Sequence, residues 1–146
     1  MSLVGGIMRR VAFALFACAL FAATTAFAQD PRGAIVQRAA REWLLLADRL
    51  DAGATWKAAG ARFQKALTVN RWTEGLARDR APRGAVVQRG LTATTFGTTL
   101  AGVPESGNYA VVKFRTSFAQ RTEGEEHVTL ELGADEIWRV IGYVIL

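Results

Sequence analysis

Few side chains in this sequence have both the type and the spacing that chemistry requires. His127 is the sole histidine, and it lies beside Glu125 and Glu126 in a polar run. A metal site needs more than one imidazole, and no His/Cys cluster accompanies it, so no metal and no cofactor is expected. Ser117 stands outside any Gly-x-Ser-x-Gly elbow, and no base sits in a motif context near a nucleophile, which argues against a hydrolytic triad. Glycine-rich phosphate loops are lacking, since Gly5-Gly6 belongs to the N-terminal leader. Glu42 offers slightly more: it borders an apolar stripe beside Trp43, and if it faces a cavity, burial would raise its pKa and suit it to acid or base work. Asp48 and Asp51 follow on the same segment.

Arginines give the most marked charge feature. Arg78, Arg80, Arg83 and Arg89 cluster with only Asp79 opposed locally. Arg80, Arg83 and Arg89 are therefore anion-binding candidates. Positive side chains at a helix end also complement its dipole, and Arg80 or Arg89 is suited to an ion pair that pins the third helix to the first strand. Four tryptophans and two tyrosines complete the set. Trp43, Trp56, Trp72 and Trp138 fall on inward faces, where aromatics usually build core. Trp43, Trp56, Trp138 and Tyr143, with Glu42, are the candidates for lining a pocket.

The elements that must position these residues differ by period. Ala34 to Asp51 carries Val36, Ala39, Ala40, Trp43, Leu44, Ala47 and Leu50 at three- and four-residue steps, which predicts an amphipathic helix stopped by Gly53. A second helix is expected from Ala54 to Leu67 with Thr55 as its cap and a close packing contact at Gly60. A third, capped by Asn70, ends before Pro82. From there the period is two. Val86 to Leu100 is an irregular threonine-rich strand interrupted by Gly90 and Gly97. Tyr109 to Phe118 alternates, with Ala110, Val112, Phe114, Thr116 and Phe118 on one face. Gln120 to Glu125 reads as a polar loop, after which Val128, Leu130 and Leu132 share a face opposite His127, Thr129 and Glu131. Ile137 to Leu146 is apolar on both sides: Trp138, Val140 and Val144 on one, Ile141, Tyr143 and Ile145 on the other. Gly133 supplies the turn before it. Arg115, Glu131 and Arg139 are expected to pair across the wet face. Helices first and strands afterwards spell an α+β domain, with N-terminal helices packed on a curved antiparallel sheet of about four strands.

Composition adds an address. Arg9 and Arg10 precede an apolar run from Val11 to Ala23, and Ala26-Phe27-Ala28 is a small-x-small site. Residues 1–28 are expected to be a secretory signal peptide cleaved before Gln29. An uncleaved anchor is disfavoured because the run is shorter than the ~20 residues that span a bilayer. Acylation at Cys18 is disfavoured because the run continues past it. The sole cysteine then leaves with the leader, so the domain relies on its core rather than on disulfides. Residues 29–33 are expected as a disordered lead and 34–146 as one domain. The excess of 18 basic over 13 acidic residues is mild and mixed along the chain, which gives no case for nucleic acid. No transmembrane span is expected once the leader is gone.

Several separate motifs carry a resemblance to a known family: Trp43-Leu-Leu-Leu-Ala-Asp48, Asp51-Ala-Gly53, Trp56, Phe63, Trp72, Arg80-Ala-Pro-Arg-Gly84, Arg89, Tyr109-Ala-Val-Val, Thr116-Ser-Phe118 and Trp138-Arg-Val-Ile-Gly-Tyr143. The sequence resembles the bacterial exported family known as domain of unknown function 4019. Its element order is similar to the cystatin-like and nuclear-transport-factor-2-like architecture, which curls a sheet around a long helix. The resemblance implies a periplasmic or secreted α+β domain and assigns no activity. The functional expectation is a non-catalytic binding or interaction module of the cell envelope. Its partner would be an envelope protein or a small ligand, and a homodimer through the sheet is a further expectation. The alternatives are a small cavity enzyme of isomerase or dehydratase type and a carrier of a small hydrophobic ligand.

Overall fold

A computed structural model describes residues 30–146; the leader and its cleavage site lie outside the described residues. Four helices precede four strands. They are α1 (Arg32–Asp48), α2 (Ala52–Ala58), α3 (Ala61–Ala66) and α4 (Val69–Gly75), then β1 (Val86–Gly97), β2 (Tyr109–Phe118), β3 (Arg121–Leu132) and β4 (Trp138–Ile145). The strands form one antiparallel meander in the order β1-β2-β3-β4. This is the α+β layout that the change of period predicts. Helix α1 begins at Arg32, so the expected lead at 29–33 is shorter than anticipated: Pro31 stands at the N-cap and the chain is helical from the next residue.

The apolar stripe of α1 packs against the alternating face of the sheet. Val36, Ala40, Trp43, Leu44 and Ala47 are buried with Val112, Phe114, Val128 and Leu130. Burial of each large aliphatic side chain contributes about 1.5–3 kcal/mol. Trp43 meets Phe63, Trp72 and Tyr143 at ring-centroid separations of 6.4, 5.8 and 5.3 Å, so the space between α1 and the last strand is filled with aromatic edges and faces. Thr55 is a buried joint within this cluster. It sits inside α2, not at its cap, and its Oγ1 accepts from Trp72 Nε1 at 2.7 Å while its carbonyl accepts from Trp43 Nε1 at 3.0 Å. Asp51 does the capping, accepting from Ala54 N.

The expected second helix is two. Ala59 and Gly60 are extended, and the Gly60 N–H donates to Val140 O at 2.8 Å. A Cβ on Gly60 would lie 3.0 Å from an Ile141 methyl, so the backbone of this break rests directly on β4. The close packing anticipated at Gly60 is present, but on an extended backbone. In the third helix the cap is Thr68, not Asn70, and α4 runs on into a five-residue π turn, Leu76–Arg80, closed by Ala81 N donating to Leu76 O. A short 3-10 turn, Ala81–Arg83, takes up Pro82.

Three strand assignments change. The loop expected at Gln120 to Glu125 is mostly strand: β3 begins at Arg121 and Gly124 pairs with Thr116. Gly124 marks a close approach rather than a turn, because Phe118 would lie 3.1 Å from a Cβ there. Before β4 the left-handed residue is Glu136, at φ 61°, instead of Gly133. Asp135 makes this possible by accepting from Ile137 N and from Arg139. Arg139 is thereby used up, and Glu131 pairs with Arg62 at 3.0 Å, so the expected Arg115–Glu131–Arg139 ladder does not form.

The third change reorders β4. Leu130 faces Val140 and Thr129 faces Gly142, which leaves Ile141 as a bulge. One extra residue flips the alternation beyond it. Tyr143 therefore turns to the same side as Trp138 and Val140, opposite Val128, while Val144 is exposed. The expected pairing of Val144 with Trp138 on one face is corrected by this single inserted residue.

Helix α1 ends in a Schellman-type arrangement: Leu50 N donates to Ala47 O and Asp51 N to Leu46 O, with Leu50 at φ 58°. That conformation costs a non-glycine residue about 1–2 kcal/mol, and the Leu50 side chain is exposed. Replacing Leu50 with Gly is expected to stabilise the fold by about 1 kcal/mol, read as a higher urea midpoint at unchanged slope.

Candidate functional site

Two positive and two negative side chains meet beneath the C-terminal end of α1. Asp48 comes from that helix end, Arg80 from the last residue of the π turn, Arg89 from β1 and Glu126 from β3. Glu126 is 0 % exposed and Arg80 2 %. Arg89 lies between the two carboxylates. Its Nη1 and Nη2 donate to Asp48 at 2.8 and 2.9 Å, and its Nε and Nη2 donate to Glu126 at 2.6 and 3.1 Å. Arg80 Nη2 donates to Asp48 at 3.2 Å and Nη1 to Gly84 O at 2.6 Å. Thr116 and Tyr143 hydroxyls complete the shell of Glu126, Tyr143 donating at 2.6 Å.

Each position follows from local structure. Arg89 stands opposite Thr116 in the β1–β2 register. The β3 alternation puts Glu126 on the Val128 and Leu130 face. The Ile141 bulge carries Tyr143 round to meet it. A π turn adds a residue to the helical repeat and re-aims the side chains after it; here Arg78 and Asp79 are exposed and Arg80 is buried, stacked 4.7 Å above the Phe118 ring.

Electrostatics follow from the packing. Burial opposes the charge of Arg89, but the hydrogen bonds to Asp48 and Glu126 overcome it and hold its pKa above the ordinary arginine value. Tyr143 is pushed far above the usual phenol range, first by burial and then by the adjacent Glu126 carboxylate, so it stays a protonated donor.

Beside this cluster a groove of about 290 Å3 opens between α4 with its π turn on one side and β4 on the other. Leu67, Trp72, Leu76, Val144 and Ile145 form its apolar walls, Tyr143 and Arg80 belong to its lining, and Arg71 and Arg78 add exposed charge. It continues past Arg78, Asp79 and Ile145 toward Arg83 and Arg121. The groove is smaller than most ligand pockets, which run from about 300 to 1,000 Å3.

The structure separates the residues singled out from sequence. Trp43 and Trp138 are core, the latter 6.0 Å from the Phe96 ring. Half-buried Trp56 is tied to Leu67 O at 2.7 Å. Neither Trp43, Trp56 nor Trp138 lines the groove; Trp72 and Tyr143 do. Glu42 is exposed on α1 and faces no cavity, because its position falls outside the stripe that Trp43 belongs to. Arg89 is no free anion ligand, since all three of its nitrogens serve Asp48 and Glu126. The other expectation, an ion pair pinning the third helix to the first strand, is corrected: Arg89 ties the first strand to α1 through Asp48 and to β3 through Glu126, and Arg80 ties the π turn to α1 through Asp48. Arg83 donates from Nε to Asp79 O, while its buried Nη1 and the buried Nε of Arg80 have no hydrogen-bond partner. His127 pairs with Glu125 on the outer face. Sequence reasoning missed Glu126 as a polar core residue; Thr116 was placed on the inward face of its strand, but not as a partner of Glu126. Extending the β3 alternation two residues upstream from Val128 would have placed Glu126 inside.

Among the described residues no group of three or more His, Cys, Asp or Glu side chains could hold a metal ion, and no helix is long and apolar enough to cross a membrane.

A family described as "Protein of unknown function (DUF4019)" matches residues 39–143. The chain belongs to this family. The match runs from the middle of α1 to Tyr143, so every member of the buried charge cluster falls within it. No curated protein matches the sequence. Among solved structures the chain is similar to Aln2 from a Streptomyces species, at 13 % identity and a TM-score of 0.48, over 80 % of this chain and 91 % of that one.

Removing one member of a buried charge cluster strands the others. Arg89→Met is expected to lower stability by about 3–5 kcal/mol in urea denaturation. Arg89→Lys should recover little of this, because an ammonium cannot fork to two carboxylates at once. Tyr143 gives a pH dependence. Its folded pKa lies above its unfolded value of about 10, so its contribution is complete below pH 10 and is lost as pH rises further. Unfolding free energy is expected to fall above pH 10 by up to about 1.4 kcal/mol per pH unit from this residue, and Tyr143→Phe should flatten that part of the fall.

Proposed function

We propose that the protein is an exported, non-catalytic binding module of the cell envelope, with the groove between the π turn and β4 as its binding site. The observation that carries this reading is the internal saturation of the two carboxylates of the buried cluster beside the groove. Both oxygens of Glu126 accept from Arg89, Thr116 and Tyr143, and both oxygens of Asp48 accept from Arg89 or Arg80. A general base needs a free lone pair aimed at substrate, and these pairs are engaged. Tyr143 lines the groove, yet its hydroxyl donates its hydrogen bond to Glu126. The isomerase or dehydratase alternative therefore ranks second. A groove with apolar walls beside two fully engaged carboxylates is suited to hold a ligand without transforming it. Export is supported by the leader pattern of residues 1–28, which belongs to the sequence alone.

Native mass spectrometry of the full chain expressed with its leader and purified from the periplasm tests the reading. The expected spectrum contains the chain cleaved after Ala28 with a small-molecule adduct. A Val144→Trp variant, which crowds the exposed wall of the groove, should lose that adduct while keeping its fold. An adduct retained by this variant would place binding elsewhere.

A further inference from the structure

We infer that the groove selects a small amphipathic carboxylate, a short alkanoate or a molecule of that shape, with its anionic end among the arginines and its chain along β4. The inference rests on the groove being the binding site and adds the chemical class of its occupant. Three observations carry it. First, the walls divide by chemistry: Leu67, Trp72, Leu76, Val144 and Ile145 are apolar, and Arg71, Arg78 and Arg80 are the basic members. Second, the charge is uneven. The one acid in the lining, Asp79, is held by Arg78 at 2.7 Å, and Arg80 is balanced by Asp48. Arg71, together with Arg83 and Arg121 where the groove continues, forms no ion pair among the described residues.

Third, the lining contains an unmet demand. Arg80 is 2 % exposed, its two terminal nitrogens are engaged, and its Nε has no partner. A buried N–H without an acceptor is unfavourable. A carboxylate oxygen reaching Arg80 would satisfy it, and a charge-assisted bond of that kind is stronger than a neutral one. A cationic head would meet like charge from Arg71 and offer Nε no acceptor. A neutral alcohol would supply a weaker acceptor. The volume, about 290 Å3, restricts the apolar part to a short chain.

Isothermal titration calorimetry with octanoate, octylammonium and octanol on the mature chain tests this. The expected result is saturable octanoate binding at least tenfold tighter than either of the other two. Arg71→Glu, an exposed groove residue outside the buried cluster, should weaken octanoate at least tenfold. Arg38→Glu, which makes the same charge change on the exposed side of α1, should leave it unaltered. Equal affinity for octanol or octylammonium would overturn the carboxylate preference and leave the groove as a binding site. Equal loss in both arginine variants would reduce the effect to net charge and overturn the inference. Absence of saturable octanoate binding would also overturn it, and the periplasmic adduct then decides separately whether the groove binds anything.

Discussion

Arg89 is the residue on which the rest of the arrangement depends. Its guanidinium bridges the carboxylate at the end of α1 and the carboxylate in the middle of the sheet. Through those two groups it connects to the π turn, β2 and β4. Six elements thus share one neutral cluster of two cations and two anions. A buried ion pair is poor evidence for net stability, since desolvation offsets much of the attraction. Its effect here is on specificity. A partly assembled domain, lacking β1 or the helix end, would hold an unpaired charge in an apolar setting. Such a state is unfavourable, so the cluster ties helix docking and sheet formation into one event.

The aromatic layer works with this cluster rather than apart from it. Tyr143 belongs to both, packing edge-on against Trp43 at 5.3 Å and donating to Glu126. The Trp43 and Trp72 indole N–H groups find acceptors on Thr55, so the layer brings no orphaned indole donor into the core. The same layer lines the groove's inner surface through Trp72 and Tyr143.

How far the sequence told this in advance varies by element. Strand β2 was legible to the residue, because ten alternating positions leave one register that buries Val112 and Phe114. The α1 stripe was clear from Val36 to Ala47, but its end was not: the helix stops at Asp48, Leu50 turns outward in the left-handed cap, and Gly53, expected as the stop, lies inside α2. Reading failed where one residue changes the phase. Ala59 and Gly60 break a helix whose apolar spacing continues through them, since the contact that stabilises the break, Gly60 N to Val140 O, joins residues far apart in the chain. Ile141 breaks a strand in the same way. The site was half legible: clustered arginines and the unusual Trp-Arg-Val-Ile-Gly-Tyr ending drew attention to Arg80, Arg89 and Tyr143. The partner that Arg89 and Tyr143 share did not stand out, because Glu126 sits in a run of three charged or polar residues that resembles a loop. Charge in a sequence says nothing of burial until pairing partners are known.

The bulge at Ile141 works as a reading-frame shift written in side chains. Were Ile141 paired in register opposite Thr129 instead, the strand would present Tyr143 to water and Val144 to Glu126, setting a hydrocarbon against a carboxylate. One bulged position in the last strand thus decides whether the centre of the sheet is wet chemistry or dry packing.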